Sequence, residues 1–254
     1  MAHDEFDALS SPFVTLHPID ARLVQDVDLL CLDAGNCIVF LDHARIADFV
    51  SKSGVPIDAQ QLIQSEGAAK LAHERGLSVD CRWTFEALPG ALAWGRALGT
   101  MLALAGFPRT RLESFLDQLW AEHVRRNLYS LVPTDLGAAL DALRSDGVRV
   151  AVVSNSEGML AKLFDELGIL GHFDAVIDSA NVGVEKPDPR IFQIALERLG
   201  IAPGEARSAG DIYSIDMLGA RAAGIAGKLI DQHNRYDWVD HEKIRHAGDL
   251  HKIE

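Results

Sequence analysis

The 254-residue sequence is poor in cysteine and lacks long apolar runs. Its three cysteines, Cys31, Cys37 and Cys81, have neither the density of a disulfide framework nor the spacing of metal ligands. No apolar run approaches the roughly 20 residues that a membrane-spanning helix needs. The first residues, MAHDEFDALSSPF, are acidic and polar, unlike a secretory signal. We therefore expect a cytoplasmic protein without a membrane partner.

Positive charge is also scarce. Lys and Arg number 24 against 37 Asp and Glu, which gives a formal net charge of −13. Non-specific binding to nucleic acid requires a basic face, so we expect no nucleic-acid partner. A small anionic substrate is compatible with this charge if local cations attract it against the overall field. With 48% hydrophobic residues, the chain is long enough for one large globular domain or a core with an insertion.

From residue 134 onward, short apolar runs alternate with helical patterns. The runs are VRVAVVS, FDAVIDS, ARSAGD and IAGKLID, and each follows a helical segment such as DLGAALDALRSDG. This alternation predicts right-handed crossovers and a parallel sheet covered by helices on both faces. The apolar run at 27–33 is expected to join that sheet. The predicted fold class is α/β, a Rossmann-like parallel sheet.

The segment 42–127 differs from the region after residue 134, because its patterns of apolar residues are helical throughout. Apolar residues recur at helical spacing at Ile46, Phe49 and Val50, and again at Leu112, Phe115, Leu116, Leu119 and Trp120. We therefore predict an all-helical cap domain, 42–127, inserted after the first strand. The remainder divides into an N-terminal arm, 1–26, and an α/β core made of 27–41 and 128–254.

Polar residues follow the predicted strands, at Asp33, Ser154–Asn155, Asp178–Ser179, Gly210–Asp211 and Asp231. Lys186 lies nearby, in the loop VGVEKPDP. Ligands of open parallel sheets bind beyond the carboxyl ends of the strands. Carboxylates suit Mg²⁺, and lysine and serine stabilise transferring oxygens. Each residue alone has a structural explanation, as a turn former or helix cap, but together they predict a site for phosphate and a divalent metal.

Four motifs in order, LLCLDAGN, VVSNS, VGVEKPDP and AGDIYSID, resemble those of the haloacid dehalogenase superfamily. The helical insertion is similar to the cap of its subfamily I, and the resemblance covers about residues 27–231. It implies a hydrolase in which Asp33 is the nucleophile and forms an aspartyl intermediate. Ser154 and Asn155 would hold the transferring group, and Lys186 would neutralise its charge.

The same resemblance implies a bound Mg²⁺. Asp33, the backbone carbonyl of Gly35 and Asp211 would be its ligands, and Asp216 would support the metal or orient Lys186. We therefore expect a Mg²⁺-dependent phosphatase acting on a small phosphorylated metabolite. Monomer and homodimer both stay open.

The sequence departs from the superfamily pattern just after the nucleophile. Phosphatases of the superfamily carry a second aspartate where this chain has Gly35, and usually a threonine where it has Cys37. That aspartate protonates the leaving oxygen, and loss of a general acid typically costs ~10²–10⁴ in rate. Three chemistries tolerate the loss: a dehalogenase, a phosphonatase with a cap lysine, and a phosphatase whose acid comes from elsewhere. A phosphometabolite-binding protein with little turnover is a further alternative.

The insertion offers a few candidates for the missing function. Asp42 and His43, at the entrance of the cap, could supply a substitute acid. Lys52 and Lys70 are the lysines of the insertion, and we expect both to be solvated helix residues. Residues that could shape specificity are Arg82, Trp83, Trp94 and His123.

Overall fold

The computed structural model describes residues 27–80, 83, 85 and 88–244. The predicted N-terminal arm, 1–26, lies outside these residues. The strands are β1 Leu29–Leu32, β2 Phe40–Leu41, β3 Tyr129–Leu131, β4 Arg149–Ser154, β5 Ala175–Asp178, β6 Ala206–Gly210, β7 Ala226–Ile230 and β8 Lys243–Ile244. The helices are α1 His43–Lys52, α2 Ala59–Glu74, α3 Ala91–Leu104, α4 Arg109–Arg125, α5 Leu136–Ser145, α6 Leu160–Glu166, α7 Ser179–Val182, α8 Arg190–Leu199 and α9 Leu218–Ala222.

Six strands form a sheet in the order β5-β4-β1-β6-β7-β8, and every neighbouring pair is parallel. The order reverses beside β1, because β4 and β5 lie on one side of this strand and the chain then crosses to β6 on the other side. Such a reversal opens a crevice at the carboxyl ends of the strands. The α/β class and the parallel sheet are confirmed, whereas the short edge strand β8 was not predicted.

Strand β1 shows why the sheet is covered on both sides. Leu30 and Leu32 point into one apolar cluster, and Leu29 and Cys31 point into another. Alternate residues of a strand face opposite sides, so a run that is apolar at every position is buried on both. Helices α5 and α6 cover the first face, and α8 and α9 cover the second.

Helices α1 to α4 lie between β1 and β4 in sequence and have an apolar core of their own. The helical faces predicted around Ile46 and around Leu116 both contribute to it. Helix α2 begins with a capping box, in which Asp58 accepts from the N–H of Gln61 and the Gln61 side chain accepts from the N–H of Asp58. The antiparallel pair β2–β3, which was not predicted, joins the entry and exit of this helical segment. The division into domains stays a prediction.

Two further observations concern membranes and thiols. Within the part of the chain that the structure describes, we find no helix with the length and apolarity needed to span a bilayer. Cys31 and Cys37 are buried free thiols, and Cys81 lies outside the described residues.

Candidate active site

The carboxyl ends of β1, β4 and β6 meet in a cavity of about 210 Å³ beneath the helical cap. The site residues predicted from the motifs line it, namely Asp33, Gly35, Ser154, Asn155, Lys186, Asp211 and Asp216. The register of the strands explains why these residues converge, because Leu32 of β1 pairs with Val152 of β4 and with Ala209 of β6. The residues that follow these three therefore emerge at one level.

Two other strand ends do not contribute to this cavity. Asp178, at the end of β5, accepts from the backbone N–H groups of Gly158 and Ala180, so it fixes two turns. Asp231, after β7, accepts from the N–H groups of Arg235 and Tyr236. Both carboxylates serve the loops around them.

Lys186 lies at the centre of the charged side of the cavity. Its ammonium donates to Oδ1 of Asp33 at 2.6 Å and to Oδ1 of Asp216 at 2.5 Å. Burial opposes the charge of Lys186, yet the two carboxylates hold its pKa above the ordinary value. The lysine is therefore a fixed cation that touches the predicted nucleophile.

Asn155 and Asp216 hold that lysine in place. The Asn155 side chain accepts from the N–H of Lys186 at 2.7 Å and donates to its carbonyl at 2.9 Å. Asp216 uses its second oxygen to accept from the N–H of Ile212 at 2.8 Å. Both side chains thus contact Lys186, and of the two roles expected for Asp216 this geometry matches orientation of the lysine.

The carboxylate of Asp33 is largely buried, so solvent does little to stabilise its charge. Its side chain is 12% exposed. Burial raises its pKa to about 6, against the lowering effect of Lys186 and with a further rise from the charges of Asp216 and Asp211. At neutral pH the group is mostly ionised, as a nucleophile must be.

Asp211 faces Lys70, a cation that we did not expect at the site. Nζ of Lys70, from α2 of the cap, lies 2.5 Å from Oδ2 of Asp211, and the lysine side chain is 12% exposed. The expectation that Lys70 is solvated is wrong. Lys52 does lie on the surface, paired with Asp48 one turn away. One sequence signal for Lys70 exists: it follows Gly67-Ala68-Ala69, small residues that permit close approach of a helix to the core.

The loop after Asp33 is tight, and its left-handed residue is Asn36, with φ of 58°. Gly35 itself does not have a positive φ. A Cβ on Gly35 would lie 3.4 Å from Cε1 of Tyr129, so the tyrosine ring packs where the usual second aspartate would project. Burial and nearby carboxylates raise the pKa of Tyr129, which keeps its hydroxyl protonated. Sequence reasoning missed this residue.

The other cap candidates have structural partners. Asp42 caps α1 by accepting from the N–H of Arg45, and His43 pairs with Glu66 at 3.1 Å. Trp94 lines the cavity, as does Glu66, which was not predicted. Further candidates lie elsewhere: Trp83 and His123 are buried among the cap helices, and Arg82 is outside the described residues.

A family model of haloacid dehalogenase-like hydrolases matches residues 27–224. The chain belongs to this family. The family is one of hydrolases, and the superfamily predicted from the four motifs is confirmed.

Individual relatives agree with this assignment. The phosphoserine phosphatase of Thermus thermophilus is 29% identical over 194 residues, which cover 73% of this chain and 76% of that protein. The mouse haloacid dehalogenase-like hydrolase domain-containing protein 3 is 42% identical over 91 residues, 36% of each chain. The chain thus spans little more than a third of that relative. A phosphatase structure of the same family from Thermococcus onnurineus superposes with a TM-score of 0.56 at 23% identity, over 89% of this chain and 97% of that one, and supports the fold.

Proposed function

We propose that the protein is a cytoplasmic Mg²⁺-dependent phosphatase that hydrolyses a small phosphorylated metabolite through an aspartyl-phosphate on Asp33. The observation that carries this proposal is the contact of Lys186 with Asp33 in the same cavity as Asp211. Phosphatases among the relatives support the reaction class. A cavity of about 210 Å³ is below the usual range for drug-sized ligands, which supports a small substrate.

The donor groups fit a hard divalent cation. Single ligand atoms of Asp33, Cys37 and Asp211 lie within 4.8 Å of one another. Burial raises the pKa of the Cys37 thiol well above its ordinary value, so it stays protonated and the two carboxylates are the ligands suited to Mg²⁺. Asp33, Asp211 and the Gly35 carbonyl would hold the ion, which would neutralise charge on the phosphate oxygens.

The protein's own residues perform the remaining steps. A carboxylate oxygen of Asp33 attacks phosphorus, the bond to the leaving oxygen breaks, and water later hydrolyses the acyl phosphate. Lys186 stabilises negative charge beside the attacking oxygen. Ser154 and the backbone around Asn155 border the phosphate position. The cap wall is largely apolar, with Trp94 among its residues, and contacts the organic part of the substrate.

Proton delivery to the leaving oxygen distinguishes this site from related phosphatases. Gly35 supplies no carboxylic acid, so substrates with good leaving groups are favoured. Tyr129, whose ring faces Gly35, donates a hydrogen bond more readily than a proton because of its raised pKa.

A phosphonatase is the second candidate, and the position of Lys70 favours it over a dehalogenase. That reaction uses a cap lysine as an amine nucleophile. Burial acts against the charge of Lys70, but Asp211 and Glu66 hold its pKa above the ordinary value. An ammonium cannot form a Schiff base, so the contact supports the phosphatase as the first choice.

The test is a substrate panel assayed with and without Mg²⁺. It contains phosphorylated metabolites, phosphonoacetaldehyde and 2-haloacids, and release of phosphate or halide is measured. We expect metal-dependent phosphate release from monoesters, abolished in Asp33→Asn. Turnover of phosphonoacetaldehyde alone, or of haloacids without metal, would replace the proposal with the corresponding alternative.

A further inference from the structure

Helix α2 of the cap rests directly on the rim of the core. Glu74, in its last turn, accepts from the N–H of Ser214 at 3.1 Å and from the hydroxyl of Tyr236 at 2.9 Å. Two turns earlier, Gly67 faces the ring of His233 so closely that a Cβ would lie 2.7 Å from ring Cγ. Residues spaced by three and four share one helix face, so the side chain between these contacts also faces the core.

Lys70 is that side chain. Its ammonium reaches Oδ2 of Asp211 at 2.5 Å, and the two side chains are 12% and 5% exposed. Apart from this ion pair, Oδ2 has no hydrogen-bond partner among the described residues. A carboxylate oxygen of the proposed metal ligand Asp211 therefore faces the cap ammonium.

The charges around the cavity make this contact significant. Lys186 is already shared between Asp33 and Asp216, so Asp211 is neutralised by Lys70. A divalent cation entering beside Asp211 meets an ammonium on the same carboxylate. Two like charges at that range repel strongly in a partly desolvated site.

We propose that Lys70 and a divalent cation compete for Asp211, so that metal binding and docking of α2 on the core oppose each other. The inference rests on the proposed function, since it takes Asp211 as a metal ligand. Coupling between two equilibria is reciprocal. The free energy by which the Lys70 contact weakens metal binding therefore equals the free energy by which bound metal weakens docking of α2. A phosphate dianion would give Lys70 an anion in addition to Asp211 and Glu66, and would allow bound metal and a docked α2 to coexist. Substrate, rather than metal, thus closes the site.

Calorimetric titration with Mg²⁺ alone tests the competition. Lys70→Met removes the charge and keeps the length of the side chain, and we expect its Mg²⁺ affinity to exceed that of the wild type by about 5–150-fold, the usual range of such couplings. Lys70→Arg keeps the charge and should bind like the wild type. Lys52→Met, an exposed cap lysine paired with Asp48, is the matched control and should change nothing.

The outcomes separate this inference from the proposed function. Equal or weaker Mg²⁺ binding by Lys70→Met overturns the competition while the metal site stands. Absence of binding in every protein, Lys70→Met included, overturns the metal site and the competition together. Binding by Lys70→Met with none detected in the wild type is the strongest support.

A measurement on the wild type does not depend on the folding of any variant. Hydrogen exchange of segment 59–74 reports on α2, which contains none of the proposed metal ligands. We expect Mg²⁺ to accelerate its exchange, because the helix loses its contact with Asp211, and a phosphate analogue to reverse the effect. Exchange that is unchanged or slowed by Mg²⁺ alone contradicts the proposal.

Discussion

Asp216 holds the ammonium of Lys186 at 2.5 Å through one carboxylate oxygen, while the other accepts from the N–H of Ile212. Both oxygens are engaged, so the carboxylate cannot rotate without breaking a contact. The glycine at the end of β6 makes this possible, because a Cβ on Gly210 would lie 2.3 Å from Cγ of Asp216. The position of the lysine thus depends on a glycine on a different strand from that of the nucleophile.

Replacing Asp216 by asparagine should lower activity through Lys186. The variant keeps the shape of the side chain but loses the charge that fixes the ammonium beside Asp33. We expect kcat to fall by about 10²–10³, the cost of losing one preorganised charge-stabilising contact, with a smaller change in KM. Steady-state kinetics measures both. Asp188→Asn is the control, since Asp188 is close to Lys186 in sequence and pairs with Arg190 on the surface. Equal losses of kcat in the two variants would contradict the role of Asp216.

Replacing Asp211 by asparagine should remove Mg²⁺ binding and phosphatase activity together. An amide is neutral and binds hard cations less well than a carboxylate. Calorimetry measures the metal, and phosphate release measures the reaction. Asp231→Asn alters a carboxylate that follows the neighbouring strand β7 but lies outside the cavity, and it should still bind. If Asp211→Asn binds Mg²⁺ like the wild type, the ligand assignment is wrong.

Sequence patterns predicted which residues converge at the candidate site, because their placement depends on strand periodicity and the parallel topology. Asp33 and Asp211 follow buried strands, and strand ends in one parallel sheet necessarily meet at one edge. Lys70 was misjudged for a different reason. Its surroundings depend on which face of α2 docks on the core, and helical periodicity within the cap does not determine that docking. Tyr129 was missed because its contact with Gly35 joins distant parts of the chain.

His233 should make stability depend on pH. Burial, followed by the nearby charge of Lys70, lowers the pKa of His233 from 6.5 to about 4. The unfolded chain therefore binds this proton more tightly than the folded protein. The contribution of His233 to the free energy of unfolding is complete above pH 6.5. It is lost as the pH falls to about 4, and the loss is up to about 3 kcal/mol. Denaturant unfolding across this window should show a steeper decline for the wild type than for His233→Gln. Parallel curves would show that His233 does not contribute.

Adding a methyl group at Gly210 should destabilise the fold and displace Asp216. The Cβ would overlap with the Asp216 carboxyl group, and overpacking of this kind typically costs about 1–3 kcal/mol. Urea unfolding of Gly210→Ala measures the cost, and loss of activity under native conditions reports the displaced lysine. At Gly204 a Cβ meets nothing within 4 Å, so Gly204→Ala is the control and should behave like the wild type. Full activity in Gly210→Ala would mean that Asp216 can move without consequence for Lys186.

Restoring the missing carboxylate by Gly35→Asp should favour substrates with poor leaving groups. The backbone of Gly35 shows no positive φ, so it accepts a side chain, but the new Cβ lies 3.4 Å from the ring of Tyr129. We expect hydrolysis of alkyl phosphates to rise by less than the ~10²–10⁴ of a well-placed general acid. Turnover of p-nitrophenyl phosphate should change little, because its leaving group is stable as an anion. Gly35→Asn has the same size without the proton, and it should show no gain. If the folded Gly35→Asp protein gains nothing over Gly35→Asn, another group supplies the proton or the natural reaction is not phosphate-ester hydrolysis.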